Sequence, residues 1–137
     1  MVQWALRQIQ YKDVEQYDDD YCRRAKDPQV PENCHWYGVY RDDVMVSYFA
    51  VSDGVNDGLF IQRGYVLPQF RQPDTASNAT AERGFVWKYS MKLLEQAAKQ
   101  AGYRNIEFES TRNPWAYHRM FKSIGFKPRY IGFRKYI

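Results

Sequence analysis

The chain has 137 residues, 45% hydrophobic, 18% aromatic and 26% charged, with 20 Lys+Arg against 16 Asp+Glu and a formal charge of +4. Its length suits a single domain spanning 1–137, able to bury roughly two-thirds of its unfolded surface without disulfides or metal, and its apolar content excludes a largely disordered chain. No apolar run approaches the ~18 residues needed to cross a bilayer, and the opening MVQWALRQIQYKD lacks the apolar core of a secretory signal. The expectation is a soluble, cytoplasmic domain with no membrane partner.

The sequence pI is near 9.0, but the basic residues are spread along the chain rather than gathered in the stripe of a nucleic-acid binder. A nucleic-acid partner is not expected. Cys22 and Cys34 have no CxxC spacing. Cys34-His35, with His118 the one other histidine, does not make the ligand set of a zinc site, so no metal is expected.

In chain order, residues 4–10 alternate as a short strand. Asp13 reads as the N-cap of a helix carrying Val14, Tyr17, Tyr21 and Cys22 at helical spacing, ended by Pro28 and Pro31. Strands over 36–40 and 44–51 flank the turn Arg41-Asp42-Asp43 and form a hairpin. The turn residues Asp53-Gly54 and Asn56-Asp57-Gly58 lead into a strand over 59–67. Residues 68–81 are small and polar and read as a loop. The longest helix follows from Glu82, with Phe85, Tyr89, Leu93, Leu94 and Ala98 on one face and Gly102 as its stop. A strand over 104–110, a short helix opened by Asn113-Pro114 and ended at Gly125, and a strand over 126–137 complete the chain. The order β-α-β-β-β-α-β-α-β is an α+β layout: a mixed sheet with helices on both faces.

Four segments carry a likeness. Leu6-Arg7-Gln8-Ile9 followed by Asp13, the hairpin 36–51, Tyr65-Val66-Leu67-Pro68-Gln69-Phe70-Arg71, and Asn113-Pro114-Trp115-Ala116 with Phe121-Lys122-Ser123-Ile124-Gly125-Phe126 occur in this order. Together they resemble the GCN5-related N-acetyltransferase (GNAT) superfamily over nearly the whole chain, as a divergent member with its three-layer sandwich. The resemblance implies acetyl-CoA as cofactor. Its pantetheine arm would lie between splayed fourth and fifth strands, and its diphosphate on amides opening the next helix. The residues so implied for binding are Val66, Leu67, Arg71, Thr80, Arg83, Gly84, Phe85 and Asn113. The acceptor would be a primary amine of a small molecule or protein, and the departing thiolate would take a proton, usually from a tyrosine.

The sequence departs from the family at four places. Arg71 is followed by Gln72-Pro73-Asp74-Thr75-Ala76-Ser77-Asn78-Ala79-Thr80, where the family carries glycines that let backbone approach phosphate closely. Either the hydroxyls of Thr75, Ser77 and Thr80 with Arg83 substitute as donors, or the segment is a surface loop that no longer holds the cofactor. The position of the protonating tyrosine is Phe121. Tyr117, one turn earlier, is the candidate acid or an ordinary packing residue, and neighbouring His118 a candidate acid or base, or a solvated side chain. Phe60, Ile61 and Gln62 stand where relatives carry a glutamate base. Glu107 and Glu109 share one strand face and either relay a proton through water or pair with basic residues of a helix. Finally, the eleven residues after Phe126 suffice for one strand, leaving an edge through which a homo-oligomer could form.

Two functions follow. One is transfer of acetyl from acetyl-CoA to an amine, with Asp18, Asp19, Asp20, Trp36 and Tyr37 attracting a cationic acceptor or, for the aspartate run, forming a solvated helix face. The other is a catalytically inactive protein of the same fold acting in binding or assembly, as Phe121 and the altered loop allow.

Overall fold

The computed structural model describes residues 2–25, 29–70, 77–108, 124–127 and 135–136, with backbone alone at 24–25 and 77–85. Strand β1 (Trp4–Ile9) leads through a 3-10 turn (Tyr11–Asp13) into helix α1 (Glu15–Ala25). Strands β2 (His35–Arg41), β3 (Val44–Asp53) and β4 (Gly58–Val66) follow, then a second 3-10 turn (Pro68–Phe70), helix α2 (Ser77–Gln100) and strand β5 (Asn105–Phe108). The five strands form one sheet in chain order, β1-β2-β3-β4-β5. The first four are antiparallel and β5 joins β4 in parallel. This is the expected α+β layout with a mixed sheet. The predicted helix from Asn113 lies outside the described residues except at its end, and most of the last predicted strand does too.

Local chemistry accounts for the connections. Asp42 and Asp43 both have positive φ, 49° and 65°, the geometry of a two-residue hairpin turn whose twist matches the strands it joins. The Asp42 carboxylate accepts from the Gln3 amide at 2.9 Å, which fixes the turn to the start of β1. Gly102, at φ +93°, closes α2 by donating to the Lys99 carbonyl while the Tyr103 amide donates to that of Ala98. Together these two bonds satisfy carbonyls that the helix end leaves open.

Two expectations at helix starts are corrected. Asp13 is not the cap of α1: it closes the 3-10 turn, its carboxylate accepting from the Gln10 amide at 2.9 Å, and the helix begins at Glu15. Residues 77–81, expected to end a loop, are the first turn of α2. They lack apolar periodicity but contain neither glycine nor proline, and Ala79 and Ala81 are the best helix formers.

The sheet has two covered faces. On the α1 side Val14, Trp36, Tyr48, Ala50, Tyr65 and Leu67 pack together. On the α2 side Phe49, Val51, Ile61, Trp87, Met91 and Leu94 belong to a larger cluster. A bulge in β4 decides which residue serves which face. Ala50 pairs with Arg63 and Val51 with Ile61, so Gln62 is extra. An extra residue inverts the alternation beyond it. Leu59 and Ile61 therefore face α2, whereas Arg63 and Tyr65 face α1.

Past the bulge, Gly64 lets the Trp87 indole lie against the backbone of β4: a Cβ there would sit 2.7 Å from the ring's Cη2 atom. Trp87 is buried among core side chains and cannot swing clear. Gly64→Ala is expected to destabilise the fold by about 1–3 kcal/mol, measured by urea denaturation. A variant as stable as the parent would mean that the indole yields without cost. No helix among the described residues is long and apolar enough to cross a membrane.

Candidate functional site

The three consecutive aspartates of α1 meet three different surroundings. Asp19 is exposed and Asp20 half-buried, but Asp18 is 0% exposed. It follows Val14 by four residues and so falls on the same buried stripe of the helix. Its carboxylate stands 3.3 Å from Nε of Arg63, itself 1% exposed. Its Oδ1 also accepts from the Tyr48 hydroxyl at 3.0 Å. Burial first, and then the charge of Asp18, pushes the Tyr48 hydroxyl far above its ordinary pKa, so that it stays a proton donor. The solvated helix face expected of this run holds for Asp19 but not for Asp18.

Arg63 is held from three sides. Beyond Asp18, its Nη2 donates to the Gln29 carbonyl in the connector after α1, and its guanidinium carbon lies 4.3 Å from the centre of the Tyr21 ring. A buried charge is tolerated when it is paired and bonded in this way. Alongside, the Tyr65 hydroxyl donates to Oδ2 of Asp20 at 2.7 Å. Tyr65 packs 5.2 Å from Tyr48, which in turn lies 5.9 Å from Trp36. The thiol of Cys34 is raised above its usual pKa chiefly by burial, against the opposing charge of Arg63, which keeps it a neutral packing group.

The β4–β5 pairing sits beside this network. It runs from Gly58↔Asn105 to Ile61↔Phe108, ending next to the bulge. Strand β4 continues to Val66, and among the described residues no strand pairs with its β5-side edge over 62–66. In β5, Ile106 and Phe108 pack against the α2-side core, which turns Glu107 to the face shared with Asp20, Arg63 and Tyr65. Glu107 makes no ion pair among the described residues. Val66 and Leu67 are 9% and 2% exposed. Their side chains are core, and the Leu67 backbone is engaged by the Val46 carbonyl and the Phe70 amide.

Of the other candidates, Thr80, Arg83, Gly84 and Phe85 fall in the first turns of α2, whose opening amides lack intrahelical partners. Glu109, Tyr117, His118, Arg71 and Asn113 lie outside the described residues. No cluster of metal-ligating side chains occurs among the described residues. Sequence reasoning missed the Asp18–Arg63–Tyr48 network. Two signals point to it: an aspartate four residues after Val14 on the apolar stripe of α1, and an arginine in the middle of a strand.

A concavity of about 180 Å³ lies on the α2 side at the opposite end of β4, lined by residues including Leu59, Leu94, Ala97, Ala98 and Tyr103. It lies on the opposite face of the sheet from the Asp18–Arg63–Tyr48 network.

No family model matches the chain, and no curated protein matches it in sequence. Solved structures do. YycN of Bacillus subtilis, a proposed acetyltransferase, superposes with a TM-score of 0.66 at 13% identity, covering 98% of this chain and 99% of that one. The ribosomal-protein-alanine N-acetyltransferase of Brucella melitensis biovar Abortus 2308 gives 0.61 at 13% identity over the whole of both chains, each 100% covered. The aminoglycoside N-acetyltransferase AAC(6')-Iy, in complex with CoA, gives 0.53 at 17% identity, covering 98% and 96%. The chain therefore has the fold of the GCN5-related N-acetyltransferases.

Proposed function

We propose that the protein is an N-acetyltransferase, moving the acetyl group of acetyl-CoA to the primary amine of a small molecule or protein. The observation that carries this reading is the strand arrangement: β5 runs parallel to β4, paired among the described residues from Gly58↔Asn105 to Ile61↔Phe108, and β4 leads on through the second 3-10 turn towards α2. The opening amides of α2 supply a partial positive charge suited to a diphosphate, and Thr80 and Arg83 lie within those turns.

Bound acetyl-CoA would supply an activated acyl carbon and a thiolate leaving group. The residues of this chain do the rest. Asp20, held by Tyr65 and half-exposed, attracts the cationic form of the amine to the α1 side. Glu107, on the same face, takes the amine's proton directly or through water, freeing the lone pair that forms the new N–C bond as the C–S bond breaks. Tyr117 returns a proton to the departing sulfur, with Glu109 and His118 as further candidates for proton transfer.

A second reading, an inactive protein of this fold serving in binding or assembly, is favoured by Phe121 and by the absence of glycine between Arg71 and Arg83. Thermal unfolding with acetyl-CoA separates the two. A ligand at a hundredfold its dissociation constant stabilises by about 2.7 kcal/mol, so the midpoint is expected to rise by several degrees. No rise at millimolar acetyl-CoA would rule out the transferase.

A further inference from the structure

A ladder of rings and cations ties the turn after β4 to the body of α2. Arg41 closes β2 with its guanidinium carbon 5.3 Å from the centre of the Phe70 ring and 5.6 Å from that of Trp4. On its other side Trp4 stacks on Tyr89 of α2, with centroids 4.5 Å apart and planes inclined by 24°. The ammonium of Lys92 lies 6.0 Å from the Tyr89 ring centre. Four elements meet here: β1 through Trp4, β2 through Arg41, the 3-10 turn through Phe70, and α2 through Tyr89. Phe70 is the last described residue before α2, and Tyr89 lies on the helix itself.

We infer that Arg41 is a positioning residue that sets helix α2, gripped at Tyr89 along its length, relative to the end of β4. The inference rests on the acetyl-CoA reading above. The pantetheine arm and the diphosphate are parts of one molecule, so their two seats must stay in register, and displacement by about 1 Å is costly. The β4 side is fixed by the Leu67 amide donating to the Val46 carbonyl and the Phe70 amide to that of Leu67, both at 2.9 Å. Arg41 carries that fixed point across to Trp4 and thence to α2. A planar guanidinium can serve two rings at once, whereas a lysine ammonium on a flexible stem cannot hold both in the same way.

The test compares two ligands on the full chain: CoA by calorimetric titration, and pantetheine, which lacks the diphosphate, by NMR titration followed on β4 amides. Arg41→Ala is expected to weaken CoA binding about tenfold, the scale of two cation–π contacts, and to leave pantetheine binding unchanged. Arg41→Lys is expected to restore part of the loss. Equal weakening of both ligands would make Arg41 a general stabiliser, and unchanged CoA binding would remove its role; either overturns the inference alone. A parent protein that binds no CoA overturns the acetyl-CoA reading and this inference with it. Should Arg41→Ala fail to fold, Phe70→Leu removes the same stack while keeping apolar bulk and is expected to show the same selective loss.

Discussion

Asp18→Ala is expected to lower the unfolding free energy by about 3–5 kcal/mol, the cost of breaking a buried ion pair from one side. The carboxylate it removes is 0% exposed, and its partner Arg63 is 1% exposed. Without Asp18, Arg63 keeps its charge in the core with the Gln29 carbonyl and the Tyr21 ring for company. The Tyr48 hydroxyl also loses its acceptor. Neither group can reach water by a simple rotation, since Tyr48 is fully buried under α1. The loss should therefore come from the stranded partners more than from the missing bond. The double substitution Asp18→Leu with Arg63→Met tests that account, because it removes both charges and keeps apolar volume. It is expected to be more stable than Asp18→Ala. Urea denaturation provides the measurement, and an Asp18→Ala protein within 1 kcal/mol of the parent would show that the network contributes little.

Glu107→Gln is expected to reduce turnover by about 10²- to 10⁴-fold, the usual contribution of a positioned general base, while acetyl-CoA still shifts the melting midpoint. The expectation follows from the sheet. Ile106 and Phe108 are committed to the α2-side core, so the residue between them must face the other way. The opposing strand brings Phe60 beside it and leaves its carboxylate without an ionic partner among the described residues. Glutamine keeps the shape and loses the ability to take a proton. Acetyl-CoA-dependent thiol release over a panel of primary amines would measure it. Unchanged turnover would transfer the proton-accepting role elsewhere, and a lost cofactor shift would make Glu107 a binding residue instead.

Much of the architecture was legible because it is written in short-range patterns. The hairpin turn at Asp42-Asp43, the turns before β4 and the stop at Gly102 each depend on a few adjacent residues, and each lies where expected. The start of α2 was less legible, since a first turn made of small polar residues has no apolar periodicity to announce it. The candidate site was the least legible part. Strict alternation along β4 puts Arg63 on the same face as Leu59 and Ile61. Only the extra residue at Gln62 moves it under α1 to meet Asp18. A bulge is a property of two strands in register, and a single segment does not reveal it. The aspartate run misled for a related reason: its charge suggests solvent, whereas its helical phase after Val14 puts one member in the core.

The strand order has a consequence for how the chain reaches its folded form. Strands β1 to β4 are neighbours in both sequence and space, so each can pair with the one just made. β5 arrives only after all of α2, across a much longer span whose closure costs more entropy. The antiparallel meander is thus a template complete in itself, and β5 is stitched to it along a seam that, among the described residues, holds four residue pairs. A molecule held where the described pairing ends would tie the latecomer to the template, so that its binding and the docking of β5 would become a single cooperative event.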